Sequence, residues 1–349
     1  MRSFDSRLAD RIPLSHAIAQ TLRALGEAKG RQELFARQTP QALETLRQAA
    51  IIQSTESSNR IEQITAPLKR IQELVAERTT PANRSEREIA GYRDVLNTIH
   101  SNWAEIPVTT GVVLQLHRDL YKYADGPGGQ WKAVDNEITE TYPDGTVAIR
   151  FHPVSAFETP GAMKRLHDGF NKAWETHDVD RLLLIPAYVL DFLCIHPFLD
   201  GNGRMARLLT LLLLYRAGFG VGRYISLERI VEGSRETYYE ALRGSSSGWH
   251  EGAHTLVPWT EYFLGILTAA YREFEARAGV LTSARGAKRR MVLDAIQHVL
   301  GDFAVSDLQQ ACPTVSIDLI RRILHEERTA GRLECLGRGP RARWRRKQE

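Results

Sequence analysis

Cysteine is scarce. Only Cys194, Cys312 and Cys335 occur in 349 residues. Their odd number and wide spacing exclude a disulfide framework and the usual paired-cysteine zinc sites. Long apolar runs are missing too: the longest, Leu208 to Tyr215, contains Thr210 and is too short to span a bilayer. Neither sign of charge dominates, with 46 Lys and Arg against 42 Asp and Glu and a net charge of +4. The total therefore says little about partners. There are no internal repeats and no low-complexity tract. Met1 is followed by Arg2, Asp5 and Arg7 without an apolar stretch, so no secretory leader, no membrane association and a reducing, cytoplasmic setting are expected. What remains is a chain that is 43% hydrophobic, enough for one large domain or two to three modules.

Apolar residues recur at helical spacing over Ser15–Leu25, Gln41–Gln53, Pro67–Glu77, Arg84–His100 and Thr109–Tyr121, with Pro40 and Pro81 as breakers. After Gly126-Pro-Gly-Gly129 the rhythm changes. Ala133–Ile138 and Thr146–Phe151 flank a turn containing Pro143-Asp144-Gly145, which predicts a β-hairpin inside a helical protein. Helical pattern resumes at Pro160. Leu182–Ile195 is apolar on nearly every side, as in a central helix, and a second apolar helix runs from about Met205 to Ala217. The loop joining them is polar, His196-Pro-Phe-Leu-Asp-Gly-Asn-Gly-Arg204. Such a local conflict is expected at a functional site.

The chemistry of that loop follows from its residue types. Gly201 and Gly203 permit a tight turn and close approach to a ligand. The free N–H groups and positive end of the next helix form an anion site. Arg204 and Arg207, three apart on that helix, are expected to converge on one polyphosphate. Asp200 supplies a carboxylate suited to a Mg²⁺ ion that keeps most of its waters. His196 can take a proton from an attacking hydroxyl. Further clustered ligands for a zinc ion are lacking. Base, metal ligand, anion hole and arginines within twelve residues point to phosphoryl or nucleotidyl transfer.

His196-Pro-Phe-Leu-Asp-Gly-Asn-Gly-Arg-Met-Ala-Arg207 resembles the complete signature of Fic domains, which commonly transfer AMP from ATP to a protein hydroxyl. The resemblance implies His196 as general base, Phe198 as core anchor and Asp200 as Mg²⁺ ligand. It implies an anion hole of Gly201, Asn202 and Gly203, with Arg204 and Arg207 on the polyphosphate. Relatives that phosphorylate instead carry lysine at the position of Gly201, so glycine there favours nucleotidyl transfer. The hairpin from about Gly129 to Pro153 stands where the family has a flap that captures the target by strand addition, and Val134, Asn136 and Ile138 would present its edge. Glu236–Leu242 and Trp259–Leu264 resemble later family helices. That likeness places Tyr238 and Tyr239 near the nucleotide base, as stacking partners or as core tyrosines.

Upstream, Ser57-Ser-Asn-Arg-Ile-Glu-Gln63 resembles the family's inhibitory helix motif, with Ser58 and Glu62 in the matching places. The residue after the glutamate is normally Gly or Asn, and here it is Gln63. The resemblance implies that Glu62 pairs with Arg207 and so removes the clamp for the γ-phosphate. Some relatives with this glutamate also remove AMP.

From Arg285 to Glu349 there are 14 Lys and Arg and 8 acids, a net of +6. Met291–Leu300, Ser306–Cys312 and Ile317–Thr329 read as helices. Two short extended pieces, Leu333–Leu336 and Ala342–Arg345, flank Gly337-Arg-Gly-Pro340. This resembles a winged helix-turn-helix. Arg321 and Arg322 could enter a major groove while Arg338, Arg341 and Arg343 follow a backbone. Glu326 and Glu327 on the same helix tilt the reading towards protein docking.

The expectation is therefore a mainly α-helical protein. It has an N-terminal helical region with the inhibitory helix (1–105), a Fic-type bundle with a hairpin flap (106–280) and a winged helix (285–349). Its function is read as a self-inhibited adenylyltransferase using ATP and Mg²⁺, acting on Tyr, Ser or Thr of a protein target and on itself, with a homodimer as one assembly. The competing reading is a nucleotide-responsive, DNA-binding regulator.

Overall fold

The computed structural model describes residues 3–4, 8–12, 14–38, 40–124, 126, 128–141, 145–282, 287–299, 301–312, 315–337, 339 and 342–347. Six helices come first: α1 (Leu8–Arg11), α2 (His16–Gln38), α3 (Pro40–Ile61), α4 (Leu68–Val75), α5 (Arg84–Asn102) and α6 (Thr110–Leu120). A hairpin follows, β1 (Ile138–Thr141) and β2 (Val147–Phe151). Then come α7 (Thr159–Thr176), α8 (Arg181–Ile195), α9 (Asn202–Arg216), a 3₁₀ turn (Val221–Arg223), α10 (Leu227–Gly233), α11 (Arg235–Ser246) and α12 (Val257–Thr282). The tail holds α13 (Ala287–His298), β3 (Phe303–Ala304), α14 (Val305–Ala311), α15 (Ile317–Thr329), β4 (Leu333–Leu336) and β5 (Arg343–Arg346). No helix among the described residues is long and apolar enough to cross a membrane.

The chain divides into two compact units, Met1–Gly30 with Ala50–Tyr271, and Arg31–Ala49 with Arg272–Glu349. In the first, α8 is the axis: every residue from Leu182 to Ile195 is buried, and α7 and α9 pack on it. Its one carboxylate, Asp191, is fully buried, and burial raises its pKa. Three donors satisfy it: the Ser3 N–H (3.0 Å), the Ser3 hydroxyl (2.6 Å) and the Trp249 indole (2.7 Å). An unpaired carboxylate at that depth would cost several kcal/mol, roughly. In the second unit α13, α14 and α15 enclose Val292, Ile296, Phe303, Leu308, Ile320, Ile323 and Leu333. Its antiparallel sheet has the order β3-β5-β4.

Two helices run longer than expected. α2 continues past Leu25 to Gln38, because Gly26 and Gly30 each stand among good helix formers that absorb their cost of about 1 kcal/mol. Pro40 does not break the chain but opens α3, the position where its missing N–H is harmless. α3 then passes through the polar run after Gln53, because that run is buried and bonded rather than solvated. Ser54 donates to Glu228 (2.7 Å) and the Asn59 amide to the carbonyl of Thr55 (2.7 Å).

The hairpin also differs. Its first strand begins at Ile138, where the expected one ended, pairing Ile138 with Phe151 and Thr139 with Ile149. Val134 and Asn136 precede the strand, so the anticipated three-residue edge is reduced to Ile138. Pro143 and Asp144 of the predicted turn lie outside the described residues, as do Arg338 and Arg341 of the tail.

Candidate active site

His196 ends α8 in the left-handed conformation, with φ 50° and ψ 60°. Its Nδ1–H donates to the carbonyl of Leu193 (3.2 Å), which fixes the tautomer and leaves Nε2 as the acceptor. Burial pushes its pKa down to about 4; the Leu193 bond opposes this and the Lys132 charge adds to it. The imidazole is therefore neutral at pH 7.

Between His196 and α9 the loop is held in shape by its own side chains. The Asn202 Oδ1 accepts the Phe198 N–H (2.9 Å) and its Nδ2 donates to the Phe198 carbonyl (2.8 Å). Asn202 thus closes the loop with its side chain and offers only its backbone N–H to a ligand. Gly201 stands at φ +81°, where any Cβ would press on the Tyr121 ring. It is the N-cap of α9 and supplies no capping side chain, and the first turn carries no acid. The N-terminus of a 15-residue helix is thereby left bare of side-chain caps. Asp200 lies beside it, well exposed, with Oδ1 accepting the Gly201 N–H (2.6 Å). Among the described residues no cluster of three His, Cys, Asp or Glu could hold a metal. One exposed carboxylate is nevertheless the donor set a Mg²⁺ ion uses together with phosphate oxygens and water.

The two arginines part company. Arg207 lines a cavity of about 660 Å³ together with His196, Asp200, Gly201, Asn202 and Gly203. It donates Nε–H to the Ser58 hydroxyl (2.8 Å) and Nη2–H to the Ser58 carbonyl (2.9 Å) and Glu62 Oε1 (2.8 Å). Arg204 does not line that cavity. It is fully buried, 2.8 Å from Glu88 and donating to the Tyr121 hydroxyl (2.8 Å). The expected convergence of both guanidinium groups is absent from this conformation: Glu88 and the Tyr121 hydroxyl hold Arg204, although residues three apart share one helix face.

Ser58 sits in the last turn of α3, and Glu62, the first residue beyond it, faces the first turn of α9. A Cβ at Gly203 would collide with Glu62 Oε1, so the glycine is what admits the carboxylate. The chain leaves α3 through Gln63 at φ +62°, a conformation that favours glycine or asparagine. The tyrosines separate by depth. Tyr238 is buried against Trp259 and Tyr262, whereas Tyr239 is partly open on the cavity wall.

Several residues around the loop carry no sequence signal of their own. The buried Lys132 ammonium donates to the Ile195 carbonyl (3.2 Å) and to Asn136 (2.7 Å), and the Asn136 amide donates to the Phe198 carbonyl (3.0 Å). Burial lowers the Lys132 pKa to about 8. His117 lies flat on Phe198, with ring centroids 3.6 Å apart. It accepts the Gly129 N–H at Nδ1 (2.9 Å) and donates from Nε2 to the Asp200 carbonyl (3.1 Å). Behind Arg207, Glu228 accepts the Tyr92 hydroxyl (3.0 Å) as well as Ser54. Only tertiary placement reveals these roles.

A Fic family protein from Desulfovibrio desulfuricans, 23% identical, superposes over 97% of this chain and 98% of its own, with a TM-score of 0.62. A Fic domain-containing signalling protein from Bacteroides thetaiotaomicron, 20% identical, covers 74% of this chain with a TM-score of 0.61. At the sequence level the chain is 27% identical over 214 residues to the protein adenylyltransferase Fic of Drosophila willistoni, across 59% of this chain. It is 38% identical over 64 residues, 18% of this chain, to a Fido domain-containing protein of Dictyostelium discoideum. The matched stretches span 39% and 41% of those two proteins. The model of the Fic/DOC family matches residues 107–214, from just ahead of α6 through the loop and nearly all of α9, and this stretch is accordingly a Fic/DOC domain.

Proposed function

We propose that the protein transfers AMP from ATP to a hydroxyl of a protein target and of itself, under restraint by Glu62. The observation that carries this reading is His196: a neutral imidazole with Nδ1 committed to Leu193 and Nε2 left to accept, beside a helix N-terminus that has no side-chain cap of its own. In the reaction Nε2 takes the proton of the acceptor hydroxyl, and its oxygen attacks the α-phosphorus. The bond to the bridging α–β oxygen breaks, and pyrophosphate leaves. Backbone N–H groups of Asn202 and Gly203 receive the phosphate charge, and Arg207, once released from Glu62, holds the polyphosphate end. Arg204 would join it only by leaving Glu88. Asp200 is the residue that would hold Mg²⁺, which when bound neutralises charge on the phosphates. Tyr239 offers the open part of its ring to the base, with Tyr238 packed behind it.

Glu62 restrains the reaction twice over. Its carboxylate occupies Arg207 and lies against the first turn of α9, where a phosphate belongs. The Glu62→Gly chain, given ATP labelled at the α-phosphate, acquires label and releases pyrophosphate; ATP labelled at the γ-phosphate transfers none. Label from the γ-phosphate instead would make the protein a kinase.

One observation also favours a second activity for the tail, read as a winged helix over 285–349. Glu326 pairs with Arg289, and Glu327 with Arg332 (2.6 Å), so neither acid opposes the exposed Arg321, Arg322, His325 and Arg328 of α15. This reading predicts duplex DNA binding that weakens with salt, survives His196→Ala and is lost in Arg321→Glu/Arg322→Glu. No binding at low salt removes it, leaving protein docking.

A further inference from the structure

The hairpin side of the large cavity holds a cation that the transfer chemistry above does not use. Arg150, on β2, lines the cavity with Cys194, His196 and Tyr239. Its Nη1 is buried and has no hydrogen-bond partner among the described residues. Two neighbouring cations are engaged: Arg207 with Glu62, and Arg243 of α11 with Glu140 of β1. The guanidinium stands 5.9 Å from the centre of the Tyr239 ring, and Arg235 stands 5.7 Å from the same ring. Its charge reaches His196, where it adds to the influences that keep the imidazole neutral.

A guanidinium does not shed its proton at this depth, so the group stays charged. Leaving a buried donor of that kind unpaired is costly, and an oxyanion is the partner that recovers most, through a charge-assisted bond. The donors suited to phosphate gather elsewhere, on the first turn of α9 and on Arg207. Arg150 belongs to β2 of the hairpin, the element that the family resemblance gives to the acceptor segment, and it shares the cavity wall with His196.

We propose that Arg150 is a specificity residue that binds a carboxylate on the acceptor segment next to the modified hydroxyl, so that the substrate class is an acidic Tyr, Ser or Thr sequence. This rests on the adenylyl-transfer reading and narrows it.

The test uses the full chain with Glu62→Gly and three short peptides, identical except for Glu, Gln or Lys beside a single Tyr. Peptide binding is read by fluorescence anisotropy in the presence of a non-hydrolysable ATP analogue, and AMP transfer is read by mass. The Glu peptide should bind and react about tenfold better than the Gln peptide, and the Lys peptide worst. Arg150→Gln should erase the preference, Arg150→Lys should keep part of it, and the affinity for MgATP should stay within about twofold. Equal binding of the three peptides overturns the proposal. So does a tenfold loss of ATP affinity in Arg150→Gln, which would put a nucleotide phosphate on this residue. A binding preference without any transfer would leave Arg150 in place and refute AMP transfer instead.

Discussion

His196 shows how much one backbone torsion decides. A helix continued one more residue would send the imidazole elsewhere. The left-handed stop at φ 50° turns its Nδ1 back to Leu193 and presents Nε2 to the cavity. Burial then keeps the ring unprotonated at acidities where a free histidine is charged. Transfer by the Glu62→Gly chain should therefore stay level from pH 8 down to about 5 and fall only as pH drops through about 4. An acid limb near 6.5 in the pH–rate profile would place His196 in water and contradict the buried geometry. Read one residue at a time, the placement of the loop from His196 to Arg207 was largely legible in the sequence: the histidine that ends α8, the glycine in the left-handed turn and the start of α9 fall where residue chemistry puts them. Arg204 and Asn202 were not legible as they stand. The partners that claim them are Glu88 and Tyr121 from distant helices, and the backbone of Phe198 in the same loop.

At the scale of elements, α3 is the piece under tension. Its last turn must deliver Ser58 and Glu62 to Arg207 and then leave through Gln63 at φ +62°. A residue with a Cβ pays about 1 kcal/mol for that conformation. Gln63→Gly should raise the unfolding midpoint by about 2 °C and leave Glu62 in place, so basal transfer should not increase. A calorimetric scan with a self-modification assay reads both, and a lower midpoint would mean the Gln63 side chain contributes more than its strain costs. The sequence under-reported this helix because its buried residues from Ser54 to Asn59 are serines, threonine and asparagine, which a hydrophobic pattern reads as loop. The hairpin was displaced for a similar reason. Lys132 and Asn136 look like strand or solvent residues, but they are spent holding the carbonyls of Ile195 and Phe198, so pairing begins only at Ile138.

For the whole molecule, the polar interior sets the pH range of stability. Burial presses His117, His167 and His196 each down to about 4, below the 6.5 of an unfolded chain. Between those values the unfolded chain binds more protons, so stability is full above about 6.5 and declines as pH falls towards 4. Glu86, held low by its bond to Arg70, adds to the loss below about 4.5. Asp191, raised by burial, works the other way. Urea midpoints measured from pH 8 to 4 should fall steadily below 6.5, and a flat profile would mean these histidines are exposed in solution. Overall class was readable from periodicity alone. The division into units was not, because α2, α3 and α12 each run as one helix through a boundary.

The most direct measurement is the intact mass of three chains incubated with ATP and Mg²⁺: wild type, Glu62→Gly, and Glu62→Gly/His196→Ala. A gain of whole AMP units in Glu62→Gly, little in wild type and none in the double variant, would establish the base, the donor and the restraint together. An equal gain in wild type and Glu62→Gly, or one that survives loss of His196, would contradict the account.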